Sequence, residues 1–383
     1  MTSRLHRRMF LSTAAAAPLA AGIRAADPPK KIKVGVIGCG SVSGVYLPHL
    51  SKCPYVELVS TCDIIPERAE RRAREFKVPN HYPSIEKMLA GERFDLMVNL
   101  TDMQEHGRLN KLAVEAGRHV WSEKPIASSY ADGRELLDLA KKKGVRIWGA
   151  PAVVNSPQFA FMSQMIQAGK LGRVAAGHGS YGHLGPTWSA FFYEKGGGSI
   201  PDLGVYNLTT LTGLLGPAKA VTALIGIITP RRKVDNKDDI RVEAEDNAMI
   251  LMDHGNGTFS HVQCGFNYFD PHGHVGKGQD RATVSVVGTK GALHLIGYDW
   301  EPNGVDLATV DDPEPRRHVP DAGGYVWQEG ASHIAECLAT GKEPRITAEH
   351  ALHVAEVWEA ALKSQETGRR VSIRSSFKWP VVR

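Results

Sequence analysis

The chain has 383 residues, a hydrophobic content of 42%, a charged content of 23% and a formal net charge of +5. This length exceeds one ordinary hydrophobic core, so two domains are expected, and the composition is that of a soluble globular protein. The small net charge, without a basic run interleaved with aromatic residues, argues against nucleic acid as a partner.

Residues 1–26 resemble a twin-arginine export signal rather than part of a fold. Arg7-Arg8 precede the Ala-rich apolar run Met9–Ile23, and Ala25-Ala26 suit cleavage. The run is too short and too rich in alanine for a stable transmembrane helix, so no stable membrane anchor is expected. An ordinary secretory signal and a fortuitous basic start are the alternatives. The twin-arginine route exports folded proteins, and the signal predicts a periplasmic or otherwise exported protein.

The first predicted domain, 32–150, opens with the layout of a Rossmann dinucleotide site. A β-branched strand, Val34–Ile37, runs into a glycine-rich turn and then into a segment with helical spacing. One glycine permits the sharp bend, a second lets the backbone approach a pyrophosphate, and the helix N-terminus offers free N–H groups. The cofactor contacts predicted here are Gly38, Cys39, Gly40, Ser41, Val42 and Ser43.

The cofactor predicted from this layout is NAD, with NADP as an alternative. A second strand, Val56–Thr61, leads to Asp63, whose carboxylate can accept hydrogen bonds from a ribose 2′-OH. Arg68 lies close enough in sequence to accommodate a 2′-phosphate instead. Ser43 stands in place of the third glycine of the usual fingerprint. A glycine turn that binds no nucleotide is the other interpretation, but strand, helix and acid together favour the cofactor.

Strands and helices alternate through the rest of this domain, as a doubly wound parallel sheet requires. The predicted helices are Pro66–Phe76, Ile85–Ala90, His106–Ala116 and Tyr130–Lys143, and the predicted strands are His81-Tyr82, Phe94–Leu100, His119–Ser122 and Val145–Trp148. Loops at the carboxyl ends of such strands face the cofactor. Thr101, His106, Glu123 and Lys124 are therefore further predicted cofactor contacts.

The segment Ala116–Pro125, AGRHVWSEKP, brings Lys124 just past a central strand, where the reacting ring of the cofactor should lie. With the glycine fingerprint and the later GGGSIPDLGVY, it resembles the Gfo/Idh/MocA oxidoreductase family over nearly the whole chain after the signal. The resemblance implies that Lys124 is catalytic. It also implies a Rossmann domain followed by an α/β domain with an open, mostly antiparallel sheet, which carries the substrate and forms a homodimer or tetramer. One departure is Thr101-Asp102, where Thr-Pro is usual.

Asp202 and Tyr206 complete the predicted catalytic group. They stand four residues apart at a predicted helix start, so both project from one face. The family pattern has histidine at the second position, and tyrosine there resembles the glucose-fructose oxidoreductase branch. Tyrosine titrates far above histidine unless a cation stabilises the phenolate, and Lys124 is the natural cation. The alternative for Asp202 is a helix N-cap.

The second predicted domain, 151–383, begins after the break at Gly149-Ala150-Pro151 with a helix over Gln158–Ala168. The glycine-rich stretch 177–207 is interpreted as a loop that concentrates aromatic rings and histidines. Aromatic faces stack on sugar rings while polar groups bind their hydroxyls; a strand edge with core aromatics is the alternative. The predicted substrate contacts are Asn155, Tyr181, His183, Trp188 and Tyr193. No metal is expected, because these histidines lack metal-ligand spacing.

From Lys219 onward, short strands and glycine turns predict an antiparallel sheet. Its strands are Val221–Ile228, Asn247–Met252, Thr258–Phe266 and Thr283–Val287. The charged Thr229–Glu245 and the Pro/Asp-rich Glu301–Tyr325 are predicted as loops, and Arg369–Arg383 as an extended tail. Val326–Ala339 and Thr347–Glu366 are predicted helices. His272 and His274 are assigned to a polar loop rather than to a metal site.

Together these features predict a nicotinamide-dependent oxidoreductase acting on a sugar or polyol hydroxyl. Tyr206 or Lys124 takes the hydroxyl proton while hydride passes to the nicotinamide, and Asp202 orients the pair. Export removes the enzyme from a free NAD pool, so tight binding and recycling of the cofactor in place are expected. A redox-neutral glycosidase or lyase, acting through a transient keto sugar, is the alternative. A non-catalytic ligand-binding protein on the same fold is the second alternative.

Overall fold

The computed structural model describes residues 30–269 and 280–382. The predicted export signal at 1–26 and the histidines at 272 and 274 lie outside the described residues. No helix in these two ranges is both long and apolar enough to cross a membrane.

Six parallel strands form the first sheet, in the order β3-β2-β1-β4-β5-β6. The strands are β1 Ile32–Ile37, β2 Val56–Cys62, β3 Asn80–Tyr82, β4 Leu96–Asn99, β5 His119–Ser122 and β6 Ile147–Gly149. The helices between them are α1 Ser43–Leu50, α2 Pro66–Phe76, α3 Ile85–Ala90, α4 His106–Glu115 and α5 Tyr130–Lys143. This is the predicted doubly wound Rossmann sheet, and its strand order reverses between β1 and β4, where such sheets bind ligands.

The second sheet is mixed and mostly antiparallel, as predicted. Its order is β16-β15-β14-β13-β7-β12-β11-β8-β17, and the pair β12 and β7 is parallel. Its strands are β7 Val174–Gly182, β8 Ala220–Gly226, β11 Asn247–Gly255, β12 Thr258–Gly265, β13 Ala282–Gly288, β14 Gly291–Tyr298, β15 Glu301–Thr309, β16 Arg316–His318 and β17 Val371–Ser372. The strands β9 Arg231–Val234 and β10 Lys237–Arg241 form a separate hairpin.

The stretch 177–207 is not a loop throughout, because its first residues belong to the central strand β7. Its glycines have a packing role. A Cβ at Gly177 would lie 2.8 Å from Leu215, and one at Gly179 would lie 2.8 Å from Asn207. Both contacts belong to helix α7, Val205–Leu215, which crosses β7 and β12. The glycines therefore let the helix that carries the site approach the sheet.

Two further loop predictions are wrong. Thr229–Glu245 contains the β9–β10 hairpin, in which Val234 and Ile240 are buried although charged residues surround them. Glu301–Tyr325 contains β15 and the edge strand β16. Proline and charge are tolerated near a sheet edge, so the composition of this segment concealed its strands.

The last helices link the two sheets. Helix α6, Pro157–Gln167, is close to the predicted Gln158–Ala168 and begins after Ser156, whose hydroxyl accepts a hydrogen bond from the N–H of Phe159. Helix α9, Ala348–Thr367, packs on both α5 and α7. Helix α8, Glu329–Thr340, packs on α1, β1 and β5, although it follows the predicted boundary at residue 150. The chain thus crosses back to the Rossmann sheet between β16 and α8.

The face of the second sheet opposite α7 exposes large apolar side chains. They are Leu224, Met249, Leu251 and Phe259. This is the face on which the homodimer is predicted to form, and the oligomeric state stays a prediction.

Candidate active site

The turn after β1 is shaped to hold a pyrophosphate. Gly38 has a φ of +88°, and a Cβ there would lie 2.5 Å from the backbone of Leu100, so only glycine fits. A Cβ at Gly40 would meet no atom within 4 Å, so this backbone faces open space. In the described ranges, the N–H groups of residues 40–43, which include Ser41 and Val42, donate to no backbone carbonyl. The residues present at this N-terminus of α1 therefore fit a dinucleotide.

Asp63 holds this turn against the end of β2. Its carboxylate accepts one hydrogen bond of 2.8 Å from the N–H of Cys39 and one of 2.8 Å from the N–H of Ile65. The residue is buried. Each carboxylate oxygen retains capacity for a second hydrogen bond. Asp63 thus positions the glycine turn, and its contact with a ribose stays a prediction.

Arg72 also lies at this turn, and the sequence analysis missed it. Its guanidinium donates to the Ser43 hydroxyl at 3.0 Å and to the carbonyl of Gly40 at 3.3 Å. The predicted Arg68 is exposed one turn earlier on α2. The available signal was the four-residue spacing, which places both arginines on one helix face. Ser43, in place of the third glycine, supplies the hydroxyl that anchors Arg72.

His106 joins the loops that follow β4 and β5. Its Nδ1 lies 2.8 Å from the carbonyl oxygen of Pro125, and its Nε2 lies 2.9 Å from that of Thr101. Burial lowers the pKa of His106, while hydrogen bonds to the two carbonyls oppose that shift. The Thr101 hydroxyl itself donates to Asn99 at 2.7 Å. His106 therefore positions the two loops, and a direct cofactor contact stays a prediction for both residues.

Lys124 and Asp202 form an ion pair between the two domains. The Lys124 ammonium lies 2.7 Å from Oδ1 of Asp202 and donates to its carbonyl oxygen at 3.1 Å. Each side chain is only 13% exposed. The ammonium also lies over the ring of Tyr206, 5.4 Å from its centroid. The three predicted catalytic residues are thus brought together.

Glu245 holds the helical segment that carries this group. A π-helical segment, Ile200–Gly204, leads into α7. The Glu245 carboxylate accepts hydrogen bonds from the N–H of Ile200 at 2.7 Å and from the N–H and hydroxyl of Ser199 at 3.0 and 2.5 Å. Burial raises the pKa of Glu245 to about 8. Ser199, rather than Asp202, occupies the N-cap position, so the capping interpretation of Asp202 is wrong.

The carboxylates around Lys124 and Tyr206 raise the pKa of both, which favours the charged form of Lys124 and the neutral form of Tyr206. Burial lowers the pKa of Lys124, but the carboxylates of Asp202 and Glu123 outweigh burial and raise it overall. Burial raises the pKa of Tyr206 well above its usual range, and Glu123, Asp202 and Asp299 raise it further. The Lys124 ammonium lies over the ring of Tyr206, and the acidic groups oppose ionisation of its hydroxyl, so these surroundings favour the neutral tyrosine.

Aromatic residues hold Glu123 beside the group formed by Lys124, Asp202 and Tyr206. It is buried and accepts a hydrogen bond of 2.5 Å from the hydroxyl of Tyr46, to which the indole N–H of Trp121 donates at 3.4 Å. Its second oxygen accepts from the N–H of Lys124 at 3.1 Å. Glu123 thus fixes the end of β5 beside Lys124.

Of the predicted substrate residues, Tyr181 lies next to Tyr206, His183 lies next to Tyr181, and Asn155 lies near Glu329. The ring of Tyr181 is buried 6.0 Å from that of Tyr206, and His183 lies 6.2 Å from Tyr181 on the other side. Asn155 lies beside Glu329. Burial raises the pKa of Glu329, and the Asn155 amide opposes that shift.

The other two predicted substrate residues are less suited to that role. Tyr193 is buried and donates its hydroxyl to the carbonyl of Pro186 at 2.6 Å, so it supports the loop from within. Trp188 is 42% exposed and packs edge-on against Phe192 at 4.6 Å. Trp188 thus lies at the exposed edge of a cluster of aromatic rings.

The sequence analysis missed four residues of the site: one ends the predicted loop Glu301–Tyr325, and three come just before that segment. They are Tyr298, Asp299, Trp300 and Tyr325. The rings of Tyr298 and Trp300 stack 5.3 Å apart, and Tyr298 lies 4.7 Å from Tyr181. Asp299 accepts hydrogen bonds from Asn207 and Thr210, and burial raises its pKa to about 6. The alternation of aromatic and acidic residues at 298–300 was the available signal.

Metal chemistry finds no support in the described ranges. Within them, no three His, Cys, Asp or Glu side chains are grouped so that they could hold a metal ion.

The first domain is a Rossmann fold with a turn shaped for a pyrophosphate, and a lysine–aspartate pair lies in the cleft between this domain and the second. These features define an NAD-binding oxidoreductase. Models of the Gfo/Idh/MocA family match both parts of the chain: the NAD-binding Rossmann fold of the oxidoreductase family matches residues 32–150, and the C-terminal domain matches residues 159–294. The chain belongs to this family, as its motifs indicated.

Characterised relatives are distant but nearly full-length. D-apiose dehydrogenase of Paraburkholderia graminis is 24% identical over 90% of this chain and 91% of the relative. Trans-1,2-dihydrobenzene-1,2-diol dehydrogenase of Bos taurus is 23% identical over 81% of this chain and 89% of the relative.

Solved structures show the same fold at lower identity. Levoglucosan dehydrogenase, in complex with NADH and levoglucosan, is similar with a TM-score of 0.78 at 19% identity, covering 90% of this chain and 100% of that one. Aldose-aldose oxidoreductase from Caulobacter crescentus, complexed with glycerol, gives 0.76 at 20% identity with the same coverages.

Proposed function

We propose that this protein oxidises a hydroxyl of a sugar or polyol with NAD that it holds tightly and recycles in place. The observation that carries the proposal is the buried Lys124–Asp202 pair beside Tyr206, at the end of a strand next to the dinucleotide turn. Relatives and structural neighbours whose names specify sugars or diols support this substrate class.

The protein's own residues would bind the substrate oxygen and move its proton. When bound, the nicotinamide supplies the acceptor for a hydride from the substrate carbon. Lys124 contacts the substrate hydroxyl, accepts its proton in the neutral form and, as ammonium, stabilises the oxygen. Asp202 fixes the direction of the amine, and neutral Tyr206 donates a hydrogen bond to the same oxygen.

Recycling follows from the proposed export through the Arg7-Arg8 signal. Outside the cytosol no free NAD pool renews the cofactor, so a second substrate must reoxidise it. Changing both arginines to lysine should retain the protein in the cytoplasmic fraction, while the control Arg4→Lys should be exported normally. Export of the double variant would overturn the twin-arginine assignment.

The central experiment uses protein purified without added cofactor. Denaturation should release close to one NAD(H) per chain, and sugars or polyols should change the reduced-nicotinamide absorbance of the intact protein. Analysis of the product separates the alternatives: an oxidised sugar supports the proposal, whereas a cleaved glycoside without net redox change supports a glycosidase or lyase. Failure of every sugar and polyol to alter the cofactor would reject the proposal.

A further inference from the structure

A strap of residues 319–328 crosses the cleft between the two domains. At one end, the Gln158 amide on α6 donates to the carbonyls of Val319 at 2.8 Å and Asp321 at 3.1 Å. At the other end, Trp327 packs edge-on against Tyr46 of the Rossmann domain, with ring centroids 5.6 Å apart. The strap is therefore tied to both domains, and its second end lies beside Tyr46, whose hydroxyl donates to Glu123 next to Lys124.

Tyr325, in the middle of this strap, carries an unsatisfied hydroxyl. The residue is only 8% exposed, and its hydroxyl has no hydrogen-bond partner among residues 30–269 and 280–382. Leaving a buried hydroxyl unpaired costs about 1–3 kcal/mol, so proteins rarely do so without a reason. Burial raises the pKa of Tyr325 well above its usual range, and the charges of Glu329 and Asp299 and the hydroxyl of Tyr206 raise it further, so Tyr325 shares the acidic surroundings of Tyr206.

The surroundings of Tyr325 favour an uncharged ring. The stacked rings of Tyr298 and Trp300 offer an apolar surface against which C–H groups can pack. The charges that act on Tyr206 and Tyr325 belong to four carboxyl groups, Glu123, Asp202, Asp299 and Glu329. Lys124 is already paired with Asp202, and Arg281 is exposed and donates to the hydroxyl of Tyr298 at 3.2 Å. A carboxylate or phosphate on the substrate would meet like charges here.

We propose that Tyr325 is a substrate-binding residue whose hydroxyl donates to a hydroxyl of an uncharged sugar or polyol, in a cleft whose acidic side chains exclude sugar acids and sugar phosphates. This inference rests on the proposed function and adds the substrate class and a specificity residue to it. An incoming substrate oxygen supplies the partner that Tyr325 lacks.

The first test compares substrates on the purified holoenzyme. Neutral pentoses, hexoses and polyols are assayed beside the matching uronic acids and sugar phosphates by reduction of the bound nicotinamide. The neutral compounds should have kcat/KM values at least about tenfold higher. Equal or better use of the acids would overturn this inference while leaving the proposed function in place; no reduction by any compound would reject the proposed function itself.

The second test compares Tyr325→Phe with the control Tyr55→Phe, which lies in the turn before β2, away from the cleft. Tyr325→Phe should raise KM for the best neutral substrate about three- to tenfold with little change in kcat. Its NADH affinity should be unchanged.

The unliganded variant should be at least as thermostable as the wild type, because it loses an unpaired buried hydroxyl, while the rise in Tm on adding substrate should shrink. A lower Tm without ligand, or an unchanged KM, would overturn the assignment.

Discussion

The Lys124 ammonium donates to Asp202 through two atoms, the side-chain Oδ1 at 2.7 Å and the backbone carbonyl at 3.1 Å. Lys124 follows β5 of the Rossmann sheet, and Asp202 lies at the start of the helix that packs on the second sheet. The Lys124–Asp202 pair is therefore complete only when the two domains are docked, and the orientation of the amine depends on that contact.

The pH dependence of oxidation should reflect this pair. In the proposed mechanism the proton acceptor is neutral Lys124, whose pKa Asp202 and Glu123 raise above its usual range against the effect of burial. Because the neutral form appears only as the pH rises towards that raised pKa, kcat should increase steadily from about pH 6 to pH 10. Asp202→Asn removes the larger of the two raising charges and should move this rise to lower pH while reducing kcat. If kcat rises over the same pH range in the wild type and in Asp202→Asn, Lys124 is not the base. The control is Asp138→Asn, on the exposed side of α5.

Removing Lys124 should cost more than removing the Tyr206 hydroxyl. Lys124→Ala loses both proton transfer and charge stabilisation, which predicts a fall in kcat of about 10²–10⁴-fold. Tyr206→Phe keeps the ring under the ammonium and loses one neutral hydrogen bond, so a fall of about tenfold is expected. NADH affinity, measured by fluorescence titration, should be unchanged in both variants. A larger loss in Tyr206→Phe would make the tyrosine the principal acid–base group.

The two glycines of the cofactor turn should respond differently to alanine. At Gly40 the new methyl group enters open space, so stability should be unchanged, but it obstructs the approach of a pyrophosphate and should weaken NADH binding at least about tenfold. At Gly38 the positive φ and the contact with Leu100 should destabilise the protein itself, by at least about 1–3 kcal/mol. Thermal unfolding and NADH titration separate the two effects. Gly226→Ala, also in open space but on β8, should change neither quantity.

Local patterns predicted the elements whose partners are near in sequence. The strand–turn–helix around Gly38 and the four-residue spacing of Asp202 and Tyr206 follow from the chain itself, and the structure places these residues accordingly. Elements whose stability depends on distant partners were missed. Strand β7 contains glycines because α7 must approach it, and β15 depends on β14 for its pairing. Tyr325 could not be assigned, because only the crossing of the strap brings it to the cleft.

The stability of the protein should fall as the pH rises through the ionisation of Glu245. Burial raises its pKa to about 8 in the folded protein, while the unfolded chain ionises near the ordinary value. The neutral form is therefore favoured by folding: its contribution is complete at acid pH and is lost as the pH approaches 8. The facing groups are Ser199 and the backbone of Ile200, which favour the carboxylate, and Asp246, which opposes it.

The corresponding slope is at most about 1.4 kcal/mol per pH unit between about pH 5 and pH 8. Glu245→Gln cannot ionise, so its free energy of unfolding, measured with urea at several pH values, should decline less steeply by that amount. The control Glu135→Gln, exposed on α5, should keep the slope of the wild type. Parallel curves for wild type and Glu245→Gln would mean that Glu245 stays ionised throughout this range, with the helix start and the hydroxyl of Ser199 outweighing its burial.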